Sequence, residues 1–192
     1  MNPADLAAGY LNGLTRTLQG TSPEAIGRIA AILERSRTDG RTIFLMGNGG
    51  SAATASHIAL DLGKGTIRPG APRLRAIALT DNVPVLTAWA NDTSYERVFA
   101  AQLETWVRPG DVVIAISSRG RSPIVLEAVR RARTMGAVTI GLSGFDGGVL
   151  KDLVDLSLVV PSDVVGQIED AHLAIGHILT SILSLDRAAP GT

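Results

Sequence analysis

The stretch Thr42-Ile43-Phe44-Leu45-Met46-Gly47-Asn48-Gly49-Gly50-Ser51-Ala52-Ala53 decides the fold class. Thr42 to Met46 is a short continuous apolar run, the pattern of a strand covered on both faces, and the glycines after it lead into a helical pattern at about 52–62. The same succession recurs along the chain. Further runs at 76–79, 112–116, 138–142 and, more weakly, 156–160 alternate with helical patterns at about 83–103, broken near Asn91-Asp92, and at 123–134. Alternation of this kind predicts a parallel, doubly wound α/β sheet of five strands with helices on both faces and right-handed crossovers.

Two amphipathic helices precede the sheet. Leu11, Leu14 and Leu18 recur at helical spacing, and Ile26, Ile29 and Leu33 do so again after Ser22-Pro23, an N-cap followed by proline at the first helical position. Asp39-Gly40 stops the second. A long apolar helix at about 165–185 closes the chain, and no linker divides it, so one domain over 1–192 is expected. Residues 1–40 are surplus to a crossover fold, and a bundle or a subunit interface would bury their apolar stripes. Residues 41–192 form the α/β sandwich.

Composition narrows the function. The 192 residues suffice for one large core, and the 18 basic and 18 acidic side chains balance, so no global field recruits nucleic acid or a membrane surface. Local groups must hold the ligand. Without cysteine there is no disulfide framework or thiolate chemistry, and a metal would need His, carboxylate, amide or water ligands. That usage fits the cytoplasm. Met1-Asn2-Pro3-Ala4-Asp5 has no cationic start followed by an apolar block, so neither a signal peptide nor a membrane span is expected.

Open α/β sheets bind ligands outside the carboxyl ends of their strands. After the first strand come Gly47-Asn48-Gly49-Gly50-Ser51, whose glycines let backbone N–H groups approach a ligand at a helix N-terminus. After the third come Ser117-Ser118-Arg119-Gly120-Arg121-Ser122-Pro123, where three hydroxyls, two guanidinium groups and a helix start meet. An anion, a phosphate above all, is the natural guest. Either loop alone also reads as a tight turn with a capping serine. No Gly-Lys-Ser/Thr and no Gly-x-Gly-x-x-Gly is present, which disfavours a nucleotide cofactor.

His57 and Asp61 lie at i, i+4 on the helix after the first loop, one turn apart on one face. The last helix carries Glu169, His172 and His177 among apolar residues; Glu169 and His172 share a face, while Glu169 and His177 stand about 12 Å apart along the axis at roughly 1.5 Å per residue. His and carboxylate groups together suit proton transfer beside a carbonyl or a zinc-like ion. For each histidine the alternative is a hydrogen-bonded core or interface residue. Asn91-Asp92 reads otherwise as the N-cap of the helix containing Tyr95 to Leu103.

Taken in order, Gly47 to Ala53, His57, Ala90-Asn91-Asp92, Ile116 to Ser122 and Gly144-Phe145-Asp146-Gly147-Gly148 resemble the phosphoheptose isomerase branch of the SIS (sugar isomerase) superfamily. That branch also contains the DnaA initiator-associating protein, a non-enzymatic regulator. The resemblance implies a flavodoxin-like sheet, a homotetramer with sites between subunits, and conversion of sedoheptulose 7-phosphate to D-glycero-D-manno- (or altro-like) heptose 7-phosphate through an enediol. It implies that Asn48, Gly49, Gly50 and Ser51 touch the sugar, that Asn91 and Asp92 position it, and that Ser117, Ser118, Arg119 and Ser122 hold the phosphate. His57, Asp61, Glu169 and His177 would hold one divalent metal such as zinc, with Glu169 also touching substrate and Asp61 and His177 as the acid/base pair.

The chain departs from the isomerase pattern at three positions. Asp61 replaces a glutamate base and is one methylene shorter, Glu169 replaces a glutamine ligand, and Arg119 replaces a serine, as in the replication regulator. A silent SIS protein that binds a sugar phosphate or a partner protein is the alternative reading. The titratable quartet His57, Asp61, Glu169 and His177 favours an enzyme.

Overall fold

In the computed structural model, which describes residues 2–185, five parallel strands stand in the order β2-β1-β3-β4-β5. Met1 and residues 186–192, the ends of the expected domain, lie outside the described residues. The strands are β1 (Thr42–Met46), β2 (Arg75–Ala78), β3 (Val112–Ile116), β4 (Val138–Ser143) and β5 (Leu156–Val159). This is the flavodoxin-like order, in which the crossovers change direction between β1 and β3. Ile43 pairs with Val112 and Met46 with Ala115 across that point, so the Gly47 and Ser117 loops leave the sheet side by side.

Each apolar run is continuous because alternate residues enter different cores. Ile43, Leu45, Ile114 and Ile140 pack beneath α2 (Pro23–Thr38), α3 (Gly50–Leu60) and α8 (Val165–Ser184). Phe44, Met46, Val113 and Ala115 face α5 (Val98–Trp106) and α6 (Pro123–Thr134). α7 (Leu150–Leu153) is a single turn before β5.

The helix expected at 52–62 begins at Gly50 and passes at Asp61 into a π-helical turn, Asp61–Gly65. Ser22 caps α2 as expected, its hydroxyl accepting from Ala25 N at 3.1 Å. The break near Asn91-Asp92 falls two residues later than its N-cap reading requires: α4 (Val83–Asp92) includes both residues, and the chain turns at Thr93 before the 3-10 turn Tyr95–Arg97. Asn91 Nδ2 donates to Asp92 Oδ1 instead of either side chain capping α5.

α1 (Pro3–Gln19) docks on α8 by a face other than its leucine stripe. Thr17 donates to Gln167 and Tyr10 to Asp170, while Gly13 takes the closest approach. Leu6, Leu11 and Leu18 stay exposed. Among the described residues, no helix is long and apolar enough to cross a membrane.

Candidate active site

Two helix starts at the switch point lack side-chain caps. Gly49 precedes α3 at φ +55° with no side chain to offer, and the Ser122 side chain makes no bond to the first turn of α6. The Ser122 hydroxyl instead accepts from Asn48 Nδ2 at 3.0 Å, and Tyr95 donates to Asn48 Oδ1 at 3.4 Å. Serine as an ordinary helix cap is therefore excluded at Ser122. Its oxygen faces a cavity of about 380 Å³ together with Asn48, Ser51, Ser117, Ser118 and Glu169. Hydroxyls and two uncapped helix N-termini around one cavity suit an anion.

A second loop fixes the Ser117–Ser122 segment from behind. Gly144 N donates to Ser118 O at 2.9 Å and Leu150 N to Gly120 O at 3.0 Å. Gly120 has φ +61°, and a Cβ there would overlap the Gly147 carbonyl, so only glycine permits this contact. Arg119 lines the cavity, yet its guanidinium lies 4.6 Å over the Phe145 ring, and Arg121 pairs with Asp146. Phe145 adopts φ 51°, a conformation that turns its ring toward the loop at a backbone cost. Phe145 and Asp146 thus brace the two guanidinium groups, a role that their place in a glycine-rich motif does not reveal.

The other polar groups gather where α3 meets α8. A Cβ on Gly176 would overlap Ile58, so the two helices pack backbone to side chain at that point. His57 and His177 then face each other with Nε2 atoms 3.2 Å apart. Asp61 Oδ2 lies 3.5 Å from the first and 3.6 Å from the second. Three potential metal ligands thus converge, all mutually within 4.8 Å, and among the described residues Glu169 does not join them. Two imidazole nitrogens and one carboxylate oxygen are a donor set suited to zinc. The i, i+4 spacing places Asp61 beside His57, whereas the approach of His177 follows from the α3–α8 register, which no spacing within one helix reveals.

Glu169 sits two turns before His177, against the first turn of α3, where a Cβ on Gly50 would strike its carboxylate. Asn91 and Asp92 are exposed at the end of α4, away from the cavity wall, while Tyr95 beyond them reaches Asn48. Gly49 and Gly50 form the loop rim.

His172 takes the structural role. It is fully buried, its Nε2 donates to Ser143 O at 3.2 Å, and burial pushes its pKa down to about 4 against that weaker opposing bond. An unfolded chain binds this proton below about pH 6.5, whereas the fold refuses it until about 4. The stability that depends on neutral His172 is therefore present above about pH 6.5 and lost as pH falls toward 4, a change on the order of 3 kcal/mol. Denaturant unfolding from pH 7.5 to 4 should show this loss, and His172→Gln should flatten the slope; an unchanged slope in that variant would assign the loss elsewhere.

The SIS domain family matches residues 9–144, so fold and site together define an SIS domain protein. The phosphoheptose isomerase of Roseiflexus sp. (strain RS-1) is 43% identical over 88% of this chain and 84% of its own length. That of Bradyrhizobium sp. is 43% identical over 90% and 89% respectively. The structure of phosphoheptose isomerase GmhA from Neisseria gonorrhoeae superposes with a TM-score of 0.88 at 29% identity, covering 95% of this chain and 98% of that one. The chain belongs to the phosphoheptose isomerase family.

Proposed function

We propose that this chain is an aldose-ketose isomerase that converts sedoheptulose 7-phosphate to D-glycero-D-manno- (or altro-like) heptose 7-phosphate through an enediol. The observation that carries the reading is the seam between α3 and α8: one end opens on the hydroxyl-lined cavity at Ser122 and Asn48, the other on His57, Asp61 and His177. A phosphate bound by Ser117, Ser118 and Ser122, with Arg119 at the rim, anchors one end of the sugar. Asn48, Gly49, Gly50 and Ser51 then flank its chain, and Asn48 is held in one orientation by Ser122 and Tyr95. Asn91 and Asp92 position the ligand if α4 shifts toward it.

His57, Asp61 and His177 would hold one divalent metal, zinc by donor type. When bound, the metal supplies a Lewis acid that stabilises the oxygen charge of the enediol. The reading includes a cytoplasmic homotetramer. Its self-association is supported by Leu11, Leu60, Ile77, Val83 and Trp106, apolar side chains each at least half exposed in the single chain.

Purified protein given sedoheptulose 7-phosphate, with and without zinc, should form the aldose phosphate. Ser122→Ala should raise KM about 10- to 100-fold, since a hydrogen bond to a charged group contributes about 1.5–3 kcal/mol. Unphosphorylated sedoheptulose should be a poor substrate for the wild type. No turnover with any ketose phosphate, together with tight capture of a protein partner, would make the chain a silent SIS protein.

A further inference from the structure

Two carboxylates line the α3–α8 seam, and their surroundings differ. Asp61 Oδ2 sits between two imidazole nitrogens at 3.5 and 3.6 Å, and Asp61 does not line the cavity. Glu169 lines the cavity, half-buried, and makes no side-chain hydrogen bond or ion pair among the described residues. It is also the cavity residue placed toward the imidazoles, two helical turns before His177 on the same helix. A sugar anchored at Ser117–Ser122 and reaching toward His57 and His177 must pass its carboxylate. The positive end of α3 lies beneath that carboxylate at Gly50 and holds it in place by charge–dipole attraction.

We infer that Glu169, and not Asp61, is the base that carries the carbon-bound proton in this isomerase, while Asp61 serves with His57 and His177 as a ligand group. The inference rests on the isomerase reading above. In the step, the Glu169 carboxylate takes a proton from C1 of the ketose, the C1–H electron pair becomes the C1–C2 double bond of the enediol, and the C2=O π pair moves to O2, which takes a proton from solvent water. Glu169 then returns its proton to C2, the O1 hydroxyl gives its proton to the hydroxide left in the first half, and C1 becomes the aldehyde carbon. One proton has moved from C1 to C2 and one from O1 to O2, with no net oxidation. Asp61 is committed to the imidazoles, and Glu169 stands free in the cavity.

The test compares Glu169→Gln, Glu169→Ala and Asp61→Asn in the zinc-loaded protein. Glu169→Gln should lose about 10²- to 10⁴-fold in kcat, the range that general-base catalysis contributes. It should keep the wild-type metal content, and solvent deuterium should no longer enter the sugar. Glu169→Ala should regain turnover on addition of formate, a rescue that a merely structural role would not show. Asp61→Asn should lose metal. If Glu169→Gln keeps a tenth or more of kcat, or loses metal as Asp61→Asn does, the assignment is overturned while the isomerase reading stands. A wild-type chain that turns over no ketose phosphate overturns both.

Discussion

His177→Ala is expected to remove bound metal and activity together while leaving the fold in place. The imidazole faces His57 across 3.2 Å and reaches Asp61 Oδ2 at 3.6 Å, so its loss leaves two ligand groups where three converge. A two-ligand remnant would hold the proposed zinc poorly, and the charge the metal would supply to the enediol oxygen would go with it. That charge is worth several kcal/mol, so kcat should fall by about 10²- to 10⁴-fold at roughly tenfold per 1.4 kcal/mol. The His177 side chain is 53% exposed, and truncating it opens no internal cavity. Metal analysis and thermal unfolding of one preparation separate the two effects. His177→Ala that retains both zinc and wild-type kcat would remove the metal from the proposed function, and a large fall in Tm would mean that the residue supports the fold instead.

How much of this was legible in the sequence depends on which interactions are local. The β1 and β3 runs and the α6 bounds coincide with expectation, because strand runs and Ser-Pro helix starts are encoded within a few residues. β4 extends one residue further, to Ser143, which pairs with Val159. The Ser117–Ser122 loop at the end of β3 was legible for the same reason as the strands. The division of labour on α8 was not. Glu169, His172 and His177 share one helical pattern, and only the fold turns His172 into the core against Ser143 while Gly176 brings His177 onto His57. Arg119 and Arg121 read as two free cations beside a phosphate, yet Phe145 and Asp146 engage them from a loop more than twenty residues away. The leucine stripe of α1 gave the helix but not its docking face, since polar Thr17 and Tyr10 make the contacts while Leu11 and Leu18 remain outside.

Arg37 shows the same principle with the largest expected effect on stability. As a cation in the last turn of an amphipathic helix it reads as solvated, but its side chain is 1% exposed. Its guanidinium donates to Thr66 O and Leu183 O, each at 2.9 Å, to Pro72 O at 3.4 Å, and to Glu34 at 3.1 Å. It therefore ties α2 to the end of the π-helical turn and to the last turn of α8, the two elements that carry Asp61 and His177. Arg37→Ala would strand these carbonyls and Glu34 in a buried site, and removing one partner from such a network costs about 3–5 kcal/mol. For a chain of this size that corresponds to a fall in Tm of about 6–20 °C, at roughly 2–4 °C per kcal/mol. Arg37→Lys should recover only part of the loss, because a single ammonium lacks the planar fork that reaches separate carbonyls at once. The loss should also reach the metal: with both elements loosened, Arg37→Ala should bind zinc more weakly at a temperature where it is still folded. Wild-type zinc affinity alongside a lowered Tm would mean that the clamp supports the fold without setting the geometry of the site.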